Sequence, residues 1–268
     1  MSQIDQSQID KSQINPLQLN LIVKHCNELL RINEFNDYCP NGLQVEGKNA
    51  VKRIICGVTA CQDLIEAAIE KQADVILVHH GYFWKNESAV ITGIKRKRIQ
   101  RLLEHDISLL AYHLPLDAHP ELGNNICLAK KLNINVNACV QQGASKGLLW
   151  DGEFDAPLLA EEVALQIEKS LHRKPLHLVS ASNKPIKTIG WCTGGAQHYI
   201  EEAAAMGLDA FISGEVSEQT FHLAKELDIH YFAAGHHATE SYGVQALAGY
   251  LAEKFSLEFE FVDIANPV

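Results

Sequence analysis

The sequence predicts an α/β fold made of two related α/β lobes, and three observations predict it. From residue 51 onward short apolar runs alternate with amphipathic stretches, the order of largely parallel strands joined by crossover helices. Residues 51–80 realign on 186–215 at an offset of 135 without a gap, with identities at Lys52/Lys187, Ile54/Ile189, Gln62/Gln197, Ile65/Ile200, Glu66/Glu201, Ala68/Ala203 and Asp74/Asp209. Each half then runs through a helix into one more strand, which opens onto an H-x-x-x-[D/E] pattern: His113 to Asp117 in the first, His236 to Glu240 in the second.

Taken in order, residues 1–15 repeat Ser-Gln-Ile-Asp/Asn every five positions, a period that suits neither helix nor strand. That polar segment is predicted to be a disordered tail. Pro16 opens a helical pattern with Leu17, Leu21, Ile22, Leu29 and Leu30 on one face. Strands are expected over 51–58, 75–78, 107–111, 176–180, 188–192, 210–212, 231–234 and 258–263, each a short apolar run. Helices are expected over 62–71, 96–104, 124–131, 158–170, 196–206, 218–227 and 239–255, where apolar residues recur at helical spacing. Residues 16–268 therefore read as a single two-lobed domain that arose by duplication, lobe one about 16–135 and lobe two about 136–268. In such folds ligands sit at the carboxyl ends of strands, which places a site between the lobes.

Composition narrows the function. Of 268 residues 47% are hydrophobic and 21% charged, which excludes wholesale disorder. The net charge of −10 makes nucleic acid an unlikely partner through bulk electrostatics. No run reaches the ~18 apolar residues of a membrane span, and no basic segment precedes an apolar one at the N-terminus. Seven scattered cysteines without a C-x-x-C argue against a disulfide framework and a zinc ribbon. A cytoplasmic location is expected.

The chain has 13 histidines, and three motifs concentrate them at predicted strand ends. His79-His80 closes the run 75–78 before Gly81. Its residues are candidate metal ligands, or a half-buried pair donating to carbonyls. His113, Asp117 and His119 follow the run 107–111, where Pro115 implies a shaped loop rather than a regular helix; Asp117 alone would suit a turn or a cap. His236, His237 and Glu240 follow Gly235 at a helix start, where residues four apart share a face. A Glu in a first turn is also favoured by the helix dipole. Taken together, the motifs supply imidazole nitrogens and carboxylate oxygens without thiolates, the donor set of Zn, Fe, Mn, Co or Ni. Carboxylates have two oxygens and can bridge, which suits a pair of divalent metal ions ~3.5–4 Å apart with a hydroxide between them.

The motifs Asp37-Tyr-Cys-Pro-Asn-Gly-Leu-Gln-Val-Glu-Gly47, Gly57-Val-Thr-Ala60, His79-His-Gly-Tyr-Phe-Trp84, His113-Leu-Pro-Leu-Asp-Ala-His119 and Gly235-His-His-Ala-Thr-Glu240 occur in order. On these the chain resembles the NGG-interacting-factor-three-like family, whose bacterial members carry the name GTP cyclohydrolase 1 type 2 homologue. The resemblance runs from about residue 17 to the end. It implies a dinuclear metal site with ligands His79, His80, Asp117, His236 and Glu240, and His113 beside it as the group that handles a proton. It also implies a toroidal homohexamer with metal sites facing its interior. The expected function is metal-dependent hydrolysis of a nucleotide or similar phosphorylated small molecule. The alternative is a non-enzymatic metal-binding scaffold, or a protein of metal trafficking or regulation.

Four other features carry weaker signals. Lys95-Arg-Lys-Arg98, with Arg101, reads as a solvated helix face or as a rim that attracts phosphate. Glu215 falls at the repeat position of His80 and reads as a helix N-terminal acid or as a carboxylate supporting the site. Thr193-Gly-Gly195 resembles a phosphate-cradling turn without full spacing. Tyr82, Phe83 and Trp84 suit core or subunit contacts, or stacking on a nucleobase.

Overall fold

The computed structural model describes residues 17–143 and 145–268. The repetitive segment 1–15 and Pro16 lie outside them. The described chain begins with strand β1 (Leu17–Gln18) and helix α1 (Leu19–Leu29), then β2 (Gly42–Val45), β3 (Ala50–Val51) and β4 (Arg53–Thr59). Next come α2 (Gln62–Glu70), β5 (Val75–His80), α3 (Gly93–Glu104), β6 (Ser108–Ala111), α4 (Leu114–Ala118) and α5 (Asn124–Lys131). Strands β7 (Asn135–Cys139) and β8 (Trp150–Leu158) are followed by α6 (Ala160–Leu171), β9 (Leu176–Leu178), β10 (Ile186–Cys192) and α7 (Ile200–Ala205). The chain closes with β11 (Ala210–Ser213), α8 (Glu218–Glu226), β12 (His230–Ala233), α9 (His236–Phe255) and β13 (Glu258–Phe261).

The fold is α/β, as the alternation predicts. Among the described residues one sheet has the order β13-β4-β5-β6-β2 and another β7-β8-β10-β11-β12-β9. In each, three neighbouring strands are parallel: β4, β5 and β6 in the first, β10, β11 and β12 in the second. Both faces of these strands are covered, so β5 reads as the unbroken run Val75, Ile76, Leu77 and Val78, each fully buried. Antiparallel strands flank these centres: β2 beside β6, β8 beside β10 and β9 beside β12.

The two parallel centres share one register. Ile54 lies opposite Val75 and Ile189 opposite Ala210, the same pairing displaced by 135 positions. The same polar clamp closes the start of each. Asp74 Oδ2 accepts the amide protons of Lys52 and Arg53 at 2.6 and 2.9 Å, and Asp209 Oδ2 those of Lys187 and Thr188 at 3.0 and 2.9 Å. An identical aspartate in both halves thus satisfies strand donors that have no sheet partner.

Helix α9 joins the two halves. Near its start Ala238 and Tyr242 pack on the second sheet's cluster with Trp191 and Phe232. Farther along, Val244, Leu247 and Leu251 pack with Ile22 and Cys26 of α1 and with Ile54 and Leu77 of the first sheet. β13 then pairs in parallel with β4. The chain therefore does not keep to one sheet on either side of residue 135, because residues 258–261 return to the first.

Several local expectations change. Leu21 is 48% exposed and the buried face of α1 is Leu19, Ile22 and Cys26; Leu17 pairs with Val51 in a strand before the helix begins. Pro115 does not prevent a helix: it occupies the first turn of α4, where its missing N–H would have no partner. Helix α9 starts at His236 rather than near Thr239, so His236 lies in its first turn. Strands β2, β7 and β8 were not expected. They carry no unbroken apolar run: β8 alternates apolar with acidic residues, Trp150-Asp-Gly-Glu-Phe154, and β7 is exposed along most of its length.

Candidate metal centre

The residues singled out at the strand ends converge between the sheets. β5 delivers His79 and His80, with side chains 0% and 16% exposed. α4, directly after β6, delivers Asp117, and the first turns of α9 deliver His236 and Glu240 on one face. His79, Asp117 and Glu240 each place one donor atom within 4.8 Å of the others, and so do His80, His236 and Glu240. Glu240 belongs to both triads. Its Oε1 lies 3.5 Å from His79 Nε2, while its Oε2 lies 3.2 and 3.0 Å from the Nε2 atoms of His80 and His236. Asp117 Oδ1 is 3.4 Å from His79 Nε2.

These approaches are not hydrogen bonds. His79 Nε2 and Glu240 Oε2 are buried and have no hydrogen-bond partner. Buried polar atoms are rarely left so. Meanwhile the opposite ring nitrogens are engaged. His79 Nδ1 donates to the Tyr112 carbonyl at 2.9 Å, and His236 Nδ1 donates to Glu215 Oε1 at 2.7 Å. His80 Nδ1 is 3.1 Å from Thr59 Oγ1. A proton held on Nδ1 leaves a lone pair on Nε2, the tautomer that a metal ligand needs. An orphaned nitrogen and an orphaned carboxylate oxygen facing one small space suit the donors of a bound cation, and each triad could hold one.

The electrostatics agree. Burial opposes ionisation of Glu240, yet the surrounding imidazoles His79, His80 and His236 hold its carboxyl well below the usual range. Asp117 is raised, by burial first and by the Glu240 charge against the opposing pull of His79. Burial also works against a charged His79, but Asp117 and Glu240 outweigh it and push the ring up to about 10. Burial wins at His80, which falls to about 4. A buried carboxylate pair calls for compensating positive charge, from a proton or from a metal.

Surrounding groups fix these side chains. Asn124 Nδ2 donates to Asp117 Oδ1 at 2.8 Å, and Asn124 Oδ1 accepts the Gly243 amide of α9 at 2.8 Å. Thr193 Oγ1 donates to Asp117 Oδ1 at 3.3 Å. Gly194 lies against Glu240, where a β-carbon would meet Oε1 at 2.0 Å. Residues 193–195 thus support the carboxylates rather than cradle a phosphate. Glu215 precedes α8, outside the helix, and its contact with His236 makes it a support of the site rather than a helix N-terminal acid.

His113 sits beside both triads, its ring centroid 5.0 Å from His79 and 5.7 Å from His80. Its Nδ1 is 2.7 Å from Asp37 Oδ1, and its amide donates to Asn41 Oδ1 at 2.7 Å. Asp37 also accepts from Asn41 Nδ2 at 2.8 Å and from the Leu114 amide at 3.0 Å. Burial opposes its ionisation, but His113, Asn41 and the Tyr38 amide hold the carboxyl below its ordinary value. Sequence reasoning gave Asp37 and Asn41 no role. The signal was their place in the run 37–47. His119 and His237 lie outside both triads: His119 Nδ1 accepts the Leu122 amide at 3.1 Å, and His237 Nε2 faces Asp263 at 2.8 Å. Lys95 and Arg101 are committed to Glu87 at 3.0 Å and Glu66 at 2.7 Å, which leaves Arg96 and Lys97 exposed on α3.

The comparisons with known proteins agree with this fold. The family model Duf34/NIF3 (NGG1p interacting factor 3) matches residues 17–267. The chain is 54% identical over 241 residues to a protein of Yersinia pestis named GTP cyclohydrolase 1 type 2 homolog, covering 90% of this chain and 96% of that one. It is 56% identical over 243 residues to a protein of the same name from Vibrio cholerae, with the same coverage. The solved structure titled protein ybgI, unknown function, superposes with a TM-score of 0.89 at 48% identity, covering 94% of this chain and all of that one. TTHA1606 from Thermus thermophilus gives 0.85 at 31% identity with the same coverage. No helix among the described residues is long and apolar enough to cross a membrane. With the family model spanning nearly all of the described chain and relatives above half identity, the chain belongs to the Duf34/NIF3 family.

Proposed function

We propose that the chain is a dinuclear metal-dependent hydrolase of the GTP cyclohydrolase 1 type 2 kind, acting on a nucleotide or similar phosphorylated small molecule. The observation that carries this reading is Glu240, a buried carboxylate whose two oxygens face two separate histidine sets while one oxygen lacks any hydrogen bond. In it, His79 and Asp117 would hold one divalent cation and His80 and His236 the other, with Glu240 available to both sets. Such a pair of ions supplies Lewis acidity and brings the pKa of water toward neutrality. Three nitrogens and two carboxylates cannot fill the coordination of two ions, and open positions mark catalytic rather than structural sites.

His113 moves the proton. Asp37 occupies its Nδ1, so Nε2 is the nitrogen left for exchange, as in other carboxylate-oriented histidines. For a GTP cyclohydrolase reaction water adds at C8 of the purine, and hydrolysis of the opened ring releases that carbon as formate. The matched registers of the two sheets support an internal duplication as the origin of the paired site. The exposed apolar residues Val90, Ile91 and Ile94, at 64%, 50% and 67%, suit a contact between chains, while the ring-shaped homohexamer itself rests on the family resemblance.

The test is a formate and phosphate assay with GTP and other nucleotides, on protein stripped and reloaded with Mn, Fe, Zn, Co or Ni. Turnover that depends on metal and falls roughly 100-fold or more in His113→Ala is expected. Metal uptake without turnover of any nucleotide favours the non-enzymatic scaffold or trafficking reading.

A further inference from the structure

We propose that Trp84 and Tyr38 form a stacking site for the planar heteroaromatic ring of the substrate, next to His113. This rests on the hydrolase reading of the metal centre and names the substrate feature it selects.

The three aromatic residues after His80 have different fates. Tyr82 is core: it is 5% exposed and its hydroxyl donates to the Ala60 carbonyl at 2.9 Å. Phe83 carries Lys95 Nζ 5.4 Å from its ring centroid. Trp84 turns to the site, edge-on to His113 with centroids 5.1 Å apart at 86°, and 5.9 Å from His80. From a different loop, Tyr38 also meets His113 edge-on, at 6.4 Å and 63°. Tyr38 is 61% exposed, so burial does not explain its position.

Both loops are built rigidly. Phe83 has φ +65, a left-handed conformation that is unfavourable for a bulky residue and persists only where the surroundings enforce it. Here Glu87 Oε2 accepts the amide protons of Phe83 and Trp84 at 2.9 and 3.2 Å, and Lys95, nearly buried, anchors Glu87 at 3.0 Å. The Lys85 amide donates to the Tyr38 carbonyl at 2.6 Å and ties one loop to the other. Gln44 accepts the Tyr82 amide at 2.6 Å and donates to the carbonyls of Pro40 and Tyr82 at 2.8 and 3.1 Å. Strain and these interloop and capping contacts hold two aromatic rings at the group assigned to proton transfer. Tyr38 is mostly exposed and Trp84 only half-buried, so neither ring belongs to the core. An aromatic wall beside the proton-transfer group suits a ligand that presents a flat heteroaromatic ring to it.

The molecule carries its own reporter. Of its three tryptophans, Trp150 and Trp191 are 6% and 0% exposed, so Trp84 is the one a solute reaches. The full-length protein is titrated with guanosine 5′-monophosphate (GMP) and with ribose 5-phosphate, which lacks the ring, while metal content and oligomeric state are measured in parallel. GMP is expected to quench tryptophan emission saturably and ribose 5-phosphate to leave it unchanged. By equilibrium dialysis Trp84→Ala weakens GMP binding roughly 10- to 100-fold, and Trp84→Phe restores most of it. Tyr38→Ala also weakens binding, and metal content stays at the wild-type value throughout. The proposal is overturned if the two ligands bind alike, if Trp84→Ala binds GMP as wild type does, or if the variants alter assembly alone, which would make the rings subunit contacts. If Trp84→Ala does not fold, the ligand comparison and Tyr38→Ala decide. Metal-loaded protein with no preference for the ring refutes this inference alone, whereas metal-free protein that still binds GMP at Trp84 refutes the hydrolase reading alone.

Discussion

Gly194→Ala tests how tightly the fold is built around Glu240. Gly194 has φ +69, and its added β-carbon would lie 2.0 Å from Glu240 Oε1 and 3.2 Å from His236 Nε2. The backbone side is held. The Gly194 amide donates to Thr239 Oγ1 at 3.1 Å, and its carbonyl accepts from Ser213 Oγ at 2.9 Å and from the Gly214 amide at 2.8 Å. Glu240 is 2% exposed and fixed on α9. The left-handed backbone costs an alanine about 1–2 kcal/mol, and forced overpacking adds about 1–3 kcal/mol. At about 2–4 °C per kcal/mol for a chain of this size, the melting temperature falls by about 4–20 °C. Gly207→Ala is the control: its φ is +78 but nothing lies within 4 Å of the new carbon, so only the backbone cost applies. That cost is about 1–2 kcal/mol, or about 2–8 °C. Scanning calorimetry and metal analysis on both variants separate the contributions. Gly194→Ala should melt lower than Gly207→Ala and lose metal from both halves, since Glu240 serves both. Equal melting temperatures with full metal content in both variants would refute the packing argument.

Other expectations follow from single contacts. Glu215→Ala frees His236 Nδ1 and should weaken metal binding in that half roughly 10- to 100-fold, read by competition with a chelating dye; unchanged affinity would deny Glu215 its supporting role. Asp209→Ala strands the amides of Lys187 and Thr188 and should cost about 1–3 kcal/mol at neutral pH by urea unfolding. Burial opposes ionisation of Asp209, but the Thr188 and Lys187 donors hold its carboxyl below the ordinary value. Its stabilisation is therefore complete above the unfolded value, about pH 4, and is lost as pH falls through the lower folded one. The gap between wild type and Asp209→Ala should narrow in acid, and a gap constant down to pH 3 would contradict this. Leu247→Ala in the buried face of α9 should cost about 2–5 kcal/mol, with a smaller loss showing that the helix is not the shared core element.

Much of the fold was legible because parallel strands are buried on both faces. Val75 to Val78 and Phe211-Ile212 announce themselves as unbroken apolar runs. Asp74 and Asp209 were visible only as an identical pair, and the hydrogen bonds that require them appear once the strands are paired. Of the flanking antiparallel strands only β9 was expected, whereas β2, β7 and β8 were missed: Val136, in β7, is 37% exposed, and a half-solvated strand carries no unbroken apolar run. In the site, every residue expected as a ligand came from a strand end or the first turn of a helix, where chain order predicts position. Asp37 and Asn41 reach His113 from a loop, and nothing in local periodicity says where a loop folds back. Glu215 shows the limit from the other side. It was marked by its place in the repeat, but one residue cannot be told from a helix cap until its partner, His236, is seen 21 positions away.

The most direct measurement of the central claim is metal stoichiometry by elemental analysis, on wild type, Asp117→Ala, His236→Ala and Glu240→Ala, purified without chelator and confirmed to be folded. The account predicts about two ions per chain in wild type. Asp117→Ala and His236→Ala should each keep the ion of the other half, and Glu240→Ala should lose both. A wild-type chain that takes up no transition metal from Mn, Fe, Zn, Co or Ni, or three variants that bind as wild type does, would contradict it.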